Sequence, residues 1–206
     1  MKIVRAENPA QSQPLPLSIR CPFCSHIGTF DPLPGFQDVW TSGQLLGHRR
    51  CPNRVCLAHV FTISQAGTVL ASYPPALVEF ETKDIPAQIV ETFKESLLCH
   101  ANGCYTAAAM MIRKSLEQIC LEKGATGSNL KERILDLRSK VILPSALFDA
   151  ADGLRLLGND AAHIEAQTYD NVGEEEVELA ISLTKEIMKS LYQYQSLLGK
   201  LNALRK

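Results

Sequence analysis

Four cysteines in two closely spaced pairs constrain the first third of the chain more than any other feature of the sequence. The pairs are Cys21-Pro-Phe-Cys24 and Cys51-Pro-Asn-Arg-Val-Cys56, and 26 residues separate them. Pairs at this spacing are typical of sites in which two turns each supply two thiolates to one tetrahedral ion. Four sulfur ligands leave no coordination position for water, so we predict one structural Zn²⁺ ion rather than a catalytic one.

The remaining cysteines do not favour a disulfide framework. The chain has seven cysteines, an odd number, which fits metal ligation and buried thiols better than pairing by disulfides. Three histidines near the pairs are possible substitutes for one ligand, although none is needed: His26, His48 and His59. Cys99, His100 and Cys104 resemble a second metal cluster, but we interpret them as core packing because free cysteine behaves as a small apolar residue.

Charge and hydropathy narrow the cellular setting. No stretch approaches the roughly 18 apolar residues of a membrane span, and the N-terminus lacks the apolar core of a signal peptide, so we expect a cytoplasmic protein without a membrane partner. The formal net charge is −1. Residues 1–79 carry six Lys/Arg against four Asp/Glu, an excess too small to identify nucleic acid as the partner from composition alone.

Pro74-Pro75 marks a change in pattern along the chain. Before it, short β-favouring runs alternate with Gly, Pro and Asn turns, and after it the apolar period becomes three and four. We predict a flexible arm over residues 1–18, a four-cysteine zinc ribbon over 19–76 and a helical domain over 77–206. The expected fold class is therefore mainly α, a bundle of four to five helices preceded by a small β zinc ribbon.

Five helices are predicted in the second part. Residues typical of helix starts precede apolar stripes near five positions: Pro86, Tyr105, Asn129, Pro144 and Glu174. Asn129 is followed by Glu132, a pattern that predicts an N-cap. The last helix is long enough to serve as an arm or as a surface for a partner.

Two groups of arginines are candidates for binding nucleic acid. Arg49, Arg50 and Arg54 flank the second cysteine pair, where zinc ribbons often present side chains to phosphates, although ordinary solvated charges explain them equally well. Arg113, in the second helix, forms a predicted i, i+4 pair with Glu117 and is a further candidate.

The fourth helix carries a ladder of polar residues within LRLLGNDAAH. Arg155, Asn159 and His163 recur every fourth residue, which places them on one helical face. An imidazole transfers protons near neutral pH and a guanidinium binds phosphate, so the three are candidate catalytic residues for metal-independent RNA cleavage. A structural hydrogen-bond network is the alternative interpretation, and the spacing does not decide between the two.

A family resemblance rests on IPAQIVETFKESLLCHANGCYTAAAMMIRKSLEQIC and on LRLLGNDAAH. Residues 85–198 resemble the bacterial domain of unknown function 4145, a branch of the HEPN (higher eukaryotes and prokaryotes nucleotide-binding) superfamily. The resemblance implies a HEPN-like helical bundle that commonly dimerises, with a composite RNA-cleaving or nucleotide-binding site near the dimer interface. Many active members carry Arg-Asn-three residues-His, whereas here Gly158 stands where arginine belongs and Arg155 lies one turn upstream.

These observations predict a zinc-ribbon and HEPN-like homodimer in a nucleic-acid-related defence or toxin-type pathway. It would act as an RNA-, DNA- or nucleotide-binding module or as a weak metal-independent ribonuclease, with a defence-system protein as a possible partner. The alternative is a non-catalytic adaptor that uses the ribbon and the long C-terminal helix to bind another protein.

Overall fold

The computed structural model describes residues 10–163 and 172–204 of the chain. Its contacts separate two compact units, Met1–Glu79 and Phe80–Lys206. All of the described strands lie in the first unit, and all of the described helices lie in the second. Among these helices, none combines the length and the apolar character that are needed to span a membrane.

Among the described residues of the first unit, seven antiparallel strands form one sheet. In chain order the strands are β1 (Ala10–Ser12), β2 (Leu17–Arg20), β3 (Ile27–Pro32), β4 (Asp38–Thr41), β5 (Gln44–Arg50), β6 (His59–Gln65) and β7 (Thr68–Tyr73). Strand β5 is central because it pairs with β4 and β3 along one edge and with β6 along the other. The sheet continues from β4 to β1, from β3 to β2 and from β6 to β7.

Two tight hairpin turns align the longer strands. Ser42-Gly43 joins β4 to β5, and Ala66-Gly67 joins β6 to β7. The φ angles are 48° and 81° in the first turn and 49° and 81° in the second. Two-residue turns with positive φ at both positions match the right-handed twist of the strands, and glycine adopts this conformation without steric cost.

The expected mainly α fold with a small zinc ribbon is wrong. Helices account for 49% of the described residues and strands for 20%, and the strands form a seven-stranded sheet rather than a short ribbon. Strand β5 shows why the sequence pattern did not predict this sheet. Its inward positions are Leu45, Gly47 and Arg49, so a glycine and a charged residue interrupt the alternation of apolar side chains that predicts a strand.

The segment before the first cysteine also belongs to the sheet. The sequence predicts a flexible arm over residues 1–18, whereas the structure has β1 and the beginning of β2 there. Leu17 is only 3% exposed and joins the core of the unit. Burial of Leu17 and pairing with neighbouring strands therefore order a segment whose prolines favoured an irregular one.

Six α-helices lie in residues 80–163 and 172–204, the described part of the second unit. They are α1 (Ala87–Ala101), α2 (Tyr105–Glu122), α3 (Leu130–Lys140), α4 (Ser145–Ala162), α5 (Glu174–Met188) and α6 (Tyr194–Ala203). The starts of α1 to α5 agree with the sequence prediction to within one residue. Asn129 caps α3 as predicted, because its side-chain oxygen accepts a hydrogen bond from the N–H of Glu132 at 3.0 Å. A π-helical segment, Lys189–Gln193, joins α5 to α6.

One hydrophobic core holds the helical unit together. Helix α1 contributes Ile89, Phe93 and Leu97, which are at most 2% exposed and follow the i, i+4 and i+8 spacing. Ile112 of α2 and Val177 of α5 pack into the same core. Burial of each such side chain contributes about 1.5–3 kcal/mol to stability. This packing places the last turn of α1 beside the first turns of α5.

Helices α2 and α4 approach each other closely at Gly158. A Cβ atom on Gly158 would lie 2.5 Å from the Cβ atom of Arg113 and 3.2 Å from the carbonyl oxygen of Ala109. The first distance is shorter than real Cβ contacts and the second is tighter than most of them, so only glycine fits at this position without moving a helix. The glycine that departs from the active HEPN pattern therefore has a packing role here.

Replacing Gly158 with alanine should lower the free energy of unfolding by about 1–3 kcal/mol, because the added methyl group overpacks the contact between α2 and α4. Gly199→Ala in α6 is the matched control, since a Cβ atom there meets nothing within 4 Å. The control should raise the free energy of unfolding by up to about 1 kcal/mol through helix propensity. Urea unfolding followed by circular dichroism measures both changes, and stabilisation by Gly158→Ala would contradict the packing argument.

Candidate functional site

The four cysteines of the two pairs converge on one point. Their sulfur atoms all lie within 4.8 Å of one another. The Sγ atoms of Cys21 and Cys56 are 3.8 Å apart, and those of Cys24 and Cys51 are 3.7 Å apart. Ligands of a tetrahedral ion with metal–sulfur bonds of about 2.3 Å lie about 3.8 Å apart, whereas a disulfide requires about 2.05 Å. The cluster can therefore hold a metal ion, and its geometry fits one.

The two cysteine turns have equivalent backbones although their lengths differ. The N–H of Cys21 donates to the carbonyl oxygen of His26 at 2.8 Å, and the N–H of Cys51 donates to that of Ala58 at 2.8 Å. In each turn the acceptor is the second residue after the second cysteine. The same backbone hydrogen bond thus closes a turn with two residues between its cysteines and a turn with four.

The residue that follows the second cysteine has a left-handed conformation in both turns. Ser25 has φ of 58° and Leu57 has φ of 51°. Such a conformation costs roughly 1 kcal/mol or more in a residue that is not glycine. Two such residues at matching positions indicate that the geometry of the cluster, rather than local preference, determines the backbone.

The pKa values of Cys24 and Cys51 are shifted in opposite directions. The backbone hydrogen bond from His26 lowers the pKa of Cys24 to about 7, and the Asn53 amide lies 3.6 Å from the same sulfur. Burial raises the pKa of Cys51 to about 12. Desolvation favours the protonated form of the buried Cys51 sulfur, and a bound cation would favour its thiolate.

Arg49 does not lie on the surface, where the sequence analysis placed it. Its side chain is fully buried, and Nη1 donates to Oδ1 of Asp38 at 2.8 Å in a two-pronged ion pair. Gly47 makes room for the pair, since a Cβ atom there would overlap the Asp38 carboxylate. Arg50 and Arg54, by contrast, are exposed and join no ion pair within the described residues.

On the face of β5 and β6 opposite to the buried Arg49 side chain lies a stack of aromatic rings. We call this surface the aromatic face. His48 lies parallel to Phe61 with ring centroids 4.5 Å apart and an interplanar angle of 12°. Nε2 of His48 is 3.0 Å from Nδ1 of His59, and Phe36 meets the His48 ring edge-on at 5.6 Å. Burial lowers the pKa of His48, and the charges of its neighbours His59 and Arg49 lower it further.

The aromatic face is open to solvent. Phe61 is 59% exposed, Phe36 is 58% exposed and Tyr73, which pairs with Phe61 across β6 and β7, is 42% exposed. Arg50 lies opposite His59 in the register of β5 and β6, at the edge of the same face. Sequence analysis missed this surface, although the alternation of His59, Val60 and Phe61 in β6 indicated a strand with two aromatic rings on one face.

Arg155, the first residue of the predicted polar ladder of α4, makes its contacts within the protein. Nε of Arg155 donates to Asp152 at 2.7 Å, and the Arg155 carbonyl oxygen accepts a hydrogen bond from Nη1 of Arg113 at 3.0 Å. Arg113 also pairs with Glu117 at 3.2 Å, as predicted. Both guanidinium groups are therefore engaged by the protein itself.

His163 lies at the end of α4 and has a non-helical backbone. It is the C-cap of α4, with φ of −132° and ψ of 124°, and its side chain is exposed. Asn159 is half-buried within the helix. The backbone N–H of His163 donates to the carbonyl oxygen of Asn159 at 3.0 Å, but no side-chain hydrogen bond or ion pair joins Arg155, Asn159 and His163 to one another within residues 10–163 and 172–204. Their catalytic role stays a prediction.

Comparison with known families identifies the second part of the chain. The sequence model of the family described as Domain of unknown function (DUF4145) matches residues 94–206. Neither the curated proteins nor the solved structures include a match to this chain.

Replacing Arg49 with alanine should lower the free energy of unfolding of the sheet unit by about 3–5 kcal/mol, because it leaves the Asp38 carboxylate buried without its partner. Arg50→Ala is the matched control, since it removes an exposed arginine from the next position in the same strand and should cost less than about 0.5 kcal/mol. Thermal and urea unfolding of both variants measure the difference. Similar stabilities would contradict a structural role for Arg49.

Proposed function

We propose that this chain, which belongs to the DUF4145 family because the family model matches more than half of its length, binds single-stranded RNA through the aromatic face of its sheet unit. The observation that carries the proposal is the exposed stack of Phe61, His48 and Phe36 with Arg50 at its edge. The matched family covers the helical part, so the proposed binding surface lies outside it.

Exposed rings suit the recognition of unpaired bases. Every base has a flat π-face, and stacking on an aromatic side chain contributes about 1–3 kcal/mol per base. Phe61 and Tyr73 lie on adjacent strands and are each more than 40% exposed, so their rings are accessible to bases. The lowered pKa of His48 favours its neutral imidazole near pH 7, and a neutral ring stacks as an aromatic side chain does.

Electrostatics supports a backbone contact beside the stack. The exposed arginine Arg50 precedes the second cysteine turn and the exposed Arg54 lies within it, and neither has an ion-pair partner among the described residues. Arginine binds phosphate in a two-pronged geometry, and the resulting affinity falls as salt concentration rises. The overall charge of −1 predicts moderate affinity that depends on stacking more than on charge.

The ion that the cysteine cluster holds is zinc in this proposal. Thiolates favour zinc over the harder divalent ions, and four cysteines close its coordination sphere. The ion would be structural: Cys21, Cys24, Cys51 and Cys56 would hold it, and it would supply the cross-link that fixes the two turns. Six buried residues make up the small core beside it: Leu17, Ile19, Cys21, Phe30, Cys51 and Val60.

An affiliation of the helical unit with the HEPN superfamily, in a defence or toxin-type pathway, is part of the proposal. Asn159 in α4 and the packing of Arg113 against Gly158 support it, because together they keep an amide and a guanidinium on neighbouring helices. RNA cleavage is not part of the proposal, since the guanidinium of Arg155 is paired with Asp152 and His163 is the C-cap of α4 with a non-helical backbone.

A second candidate function is protein association through α6, either with another copy of the chain or with a defence-system protein. No residue of this helix is buried. Leu197, Leu201 and Leu204 are 58%, 54% and 80% exposed and follow the i, i+4 and i+7 spacing of one face. Light scattering on the full chain measures the association that this candidate requires.

Phe61→Ala should weaken the binding of a fluorescein-labelled 12-nucleotide RNA about tenfold or more, because it removes the centre of the stack. Trp40→Ala is the matched control: Trp40 is 45% exposed, but it pairs with Leu45, whose side chain lies on the opposite face of β5. The control should leave the affinity unchanged. Fluorescence anisotropy at several salt concentrations measures both, and Arg50→Ala should reduce the salt slope by about one.

Absence of RNA binding by the metal-loaded chain would contradict the proposal, as would equal losses in Phe61→Ala and Trp40→Ala. A double-stranded RNA of the same length is the further control. Stacking requires unpaired bases, so the duplex should bind less tightly than the single strand.

Removal of the metal with a strong chelator should unfold the sheet unit and leave the helical unit folded. The sheet unit has a small core, and a structural ion adds its binding free energy to folding. Elemental analysis should find one zinc ion per chain before treatment, and circular dichroism should then show loss of strand signal with helix signal retained. A chain that keeps its strand signal without metal would contradict a structural ion.

A further inference from the structure

A second cluster of potential ligands lies in the helical unit, away from the cysteines. His100 is in the last turn of α1, and Glu174 and Glu178 occupy the first two turns of α5. One nitrogen of the histidine and one oxygen of each carboxylate lie within 4.8 Å of one another. These residues come from chain positions more than seventy residues apart, and the shared core brings them together.

The histidine lacks the partner that its burial requires. Nε2 of His100 is inaccessible to solvent and makes no hydrogen bond, and the side chain as a whole is 12% exposed. The nearest carboxylate oxygen, on Glu178, is 3.9 Å away, which is too far for a hydrogen bond. A buried polar atom without a partner costs about 1–3 kcal/mol, so an additional ligand at this point would stabilise the unit.

The two carboxylates concentrate negative charge at the same point. Glu174 and Glu178 are one turn apart, and neither pairs with a lysine or arginine within the described residues. Burial raises the pKa of Tyr105, and the charges of Glu174 and Glu178 raise it further.

We infer that His100, Glu174 and Glu178 bind a divalent first-row transition-metal ion. An imidazole nitrogen with two carboxylate oxygens suits Mn²⁺, Fe²⁺ or Zn²⁺ better than Ca²⁺ or Mg²⁺, which prefer oxygen ligands alone. The ligand atoms need to close to about 3.0–3.5 Å around such an ion, a movement within the reach of the exposed Glu178 side chain. Three protein ligands leave coordination positions for water.

This ion would differ from the one at the cysteines in both chemistry and purpose. Thiolates select zinc, whereas the mixed nitrogen and oxygen set accepts the harder Mn²⁺ ion. It would satisfy the buried nitrogen of His100, neutralise Glu174 and Glu178, and join the end of α1 to the start of α5. Binding should therefore stabilise the helical unit without any effect on the aromatic face.

Electron paramagnetic resonance of Mn²⁺ tests the inference on the full chain loaded with zinc. Bound Mn²⁺ loses the six-line spectrum of the free ion, so a titration gives the dissociation constant directly. Glu178→Gln, at a position whose side chain is 62% exposed, should weaken binding about tenfold or more. Glu175→Gln is the matched control, because it removes the same charge from an exposed residue of the same helix and should leave the affinity unchanged.

Thermal unfolding supplies the second readout. Mn²⁺ should raise the melting temperature of the wild type and of Glu175→Gln, and it should have little effect on Glu178→Gln or His100→Gln. A full six-line spectrum in the presence of excess wild-type protein would overturn the inference. Equal weakening in Glu178→Gln and Glu175→Gln would overturn it too, because it would indicate general attraction to the acidic start of α5.

Discussion

The buried ion pair between Arg49 and Asp38 is the constraint on which the sheet unit depends. A slip of one residue in β5 would expose Arg49 and move His48 and Arg50 into the interior, because successive side chains point to opposite faces. The cost of an unpaired buried carboxylate makes such a slip unfavourable by several kcal/mol. The pair therefore decides which residues reach solvent, and the stack of His48 and Phe61 is a consequence of it.

The cysteine cluster lies at the C-terminal ends of β2 and β5. Cys21 follows β2 directly and Cys51 follows β5 directly, so each cysteine turn connects a strand to the next one in the chain. A metal ion would join the turn between β2 and β3 to the turn between β5 and β6. The left-handed conformations of Ser25 and Leu57 are compatible with a backbone held by such an ion. The register of the strands thus depends on the buried ion pair, whereas the joining of the two cysteine turns depends on the metal ion.

The sequence predicted the helices and the cysteine cluster well, because both depend on local signals. Capping by Asn129 and the convergence of the four cysteines follow from residue type and spacing alone. The sheet could not be predicted in the same way, since Gly47 and Arg49 occupy inward positions of β5. Arg49 was assigned to phosphate binding because its partner, Asp38, lies eleven residues away and only the pairing of β4 with β5 brings them together.

The π-helical segment after α5 has a geometric consequence for the end of the chain. A wider turn inserts one residue into the helical repeat, so every later side chain is rotated by about 100° around the axis. The apolar line that runs through Ile187 and Leu191 would otherwise continue to Leu198, which is instead 53% exposed. The π-helical segment thus separates α5, which is packed into the core, from α6, whose leucines are exposed and can contact another molecule.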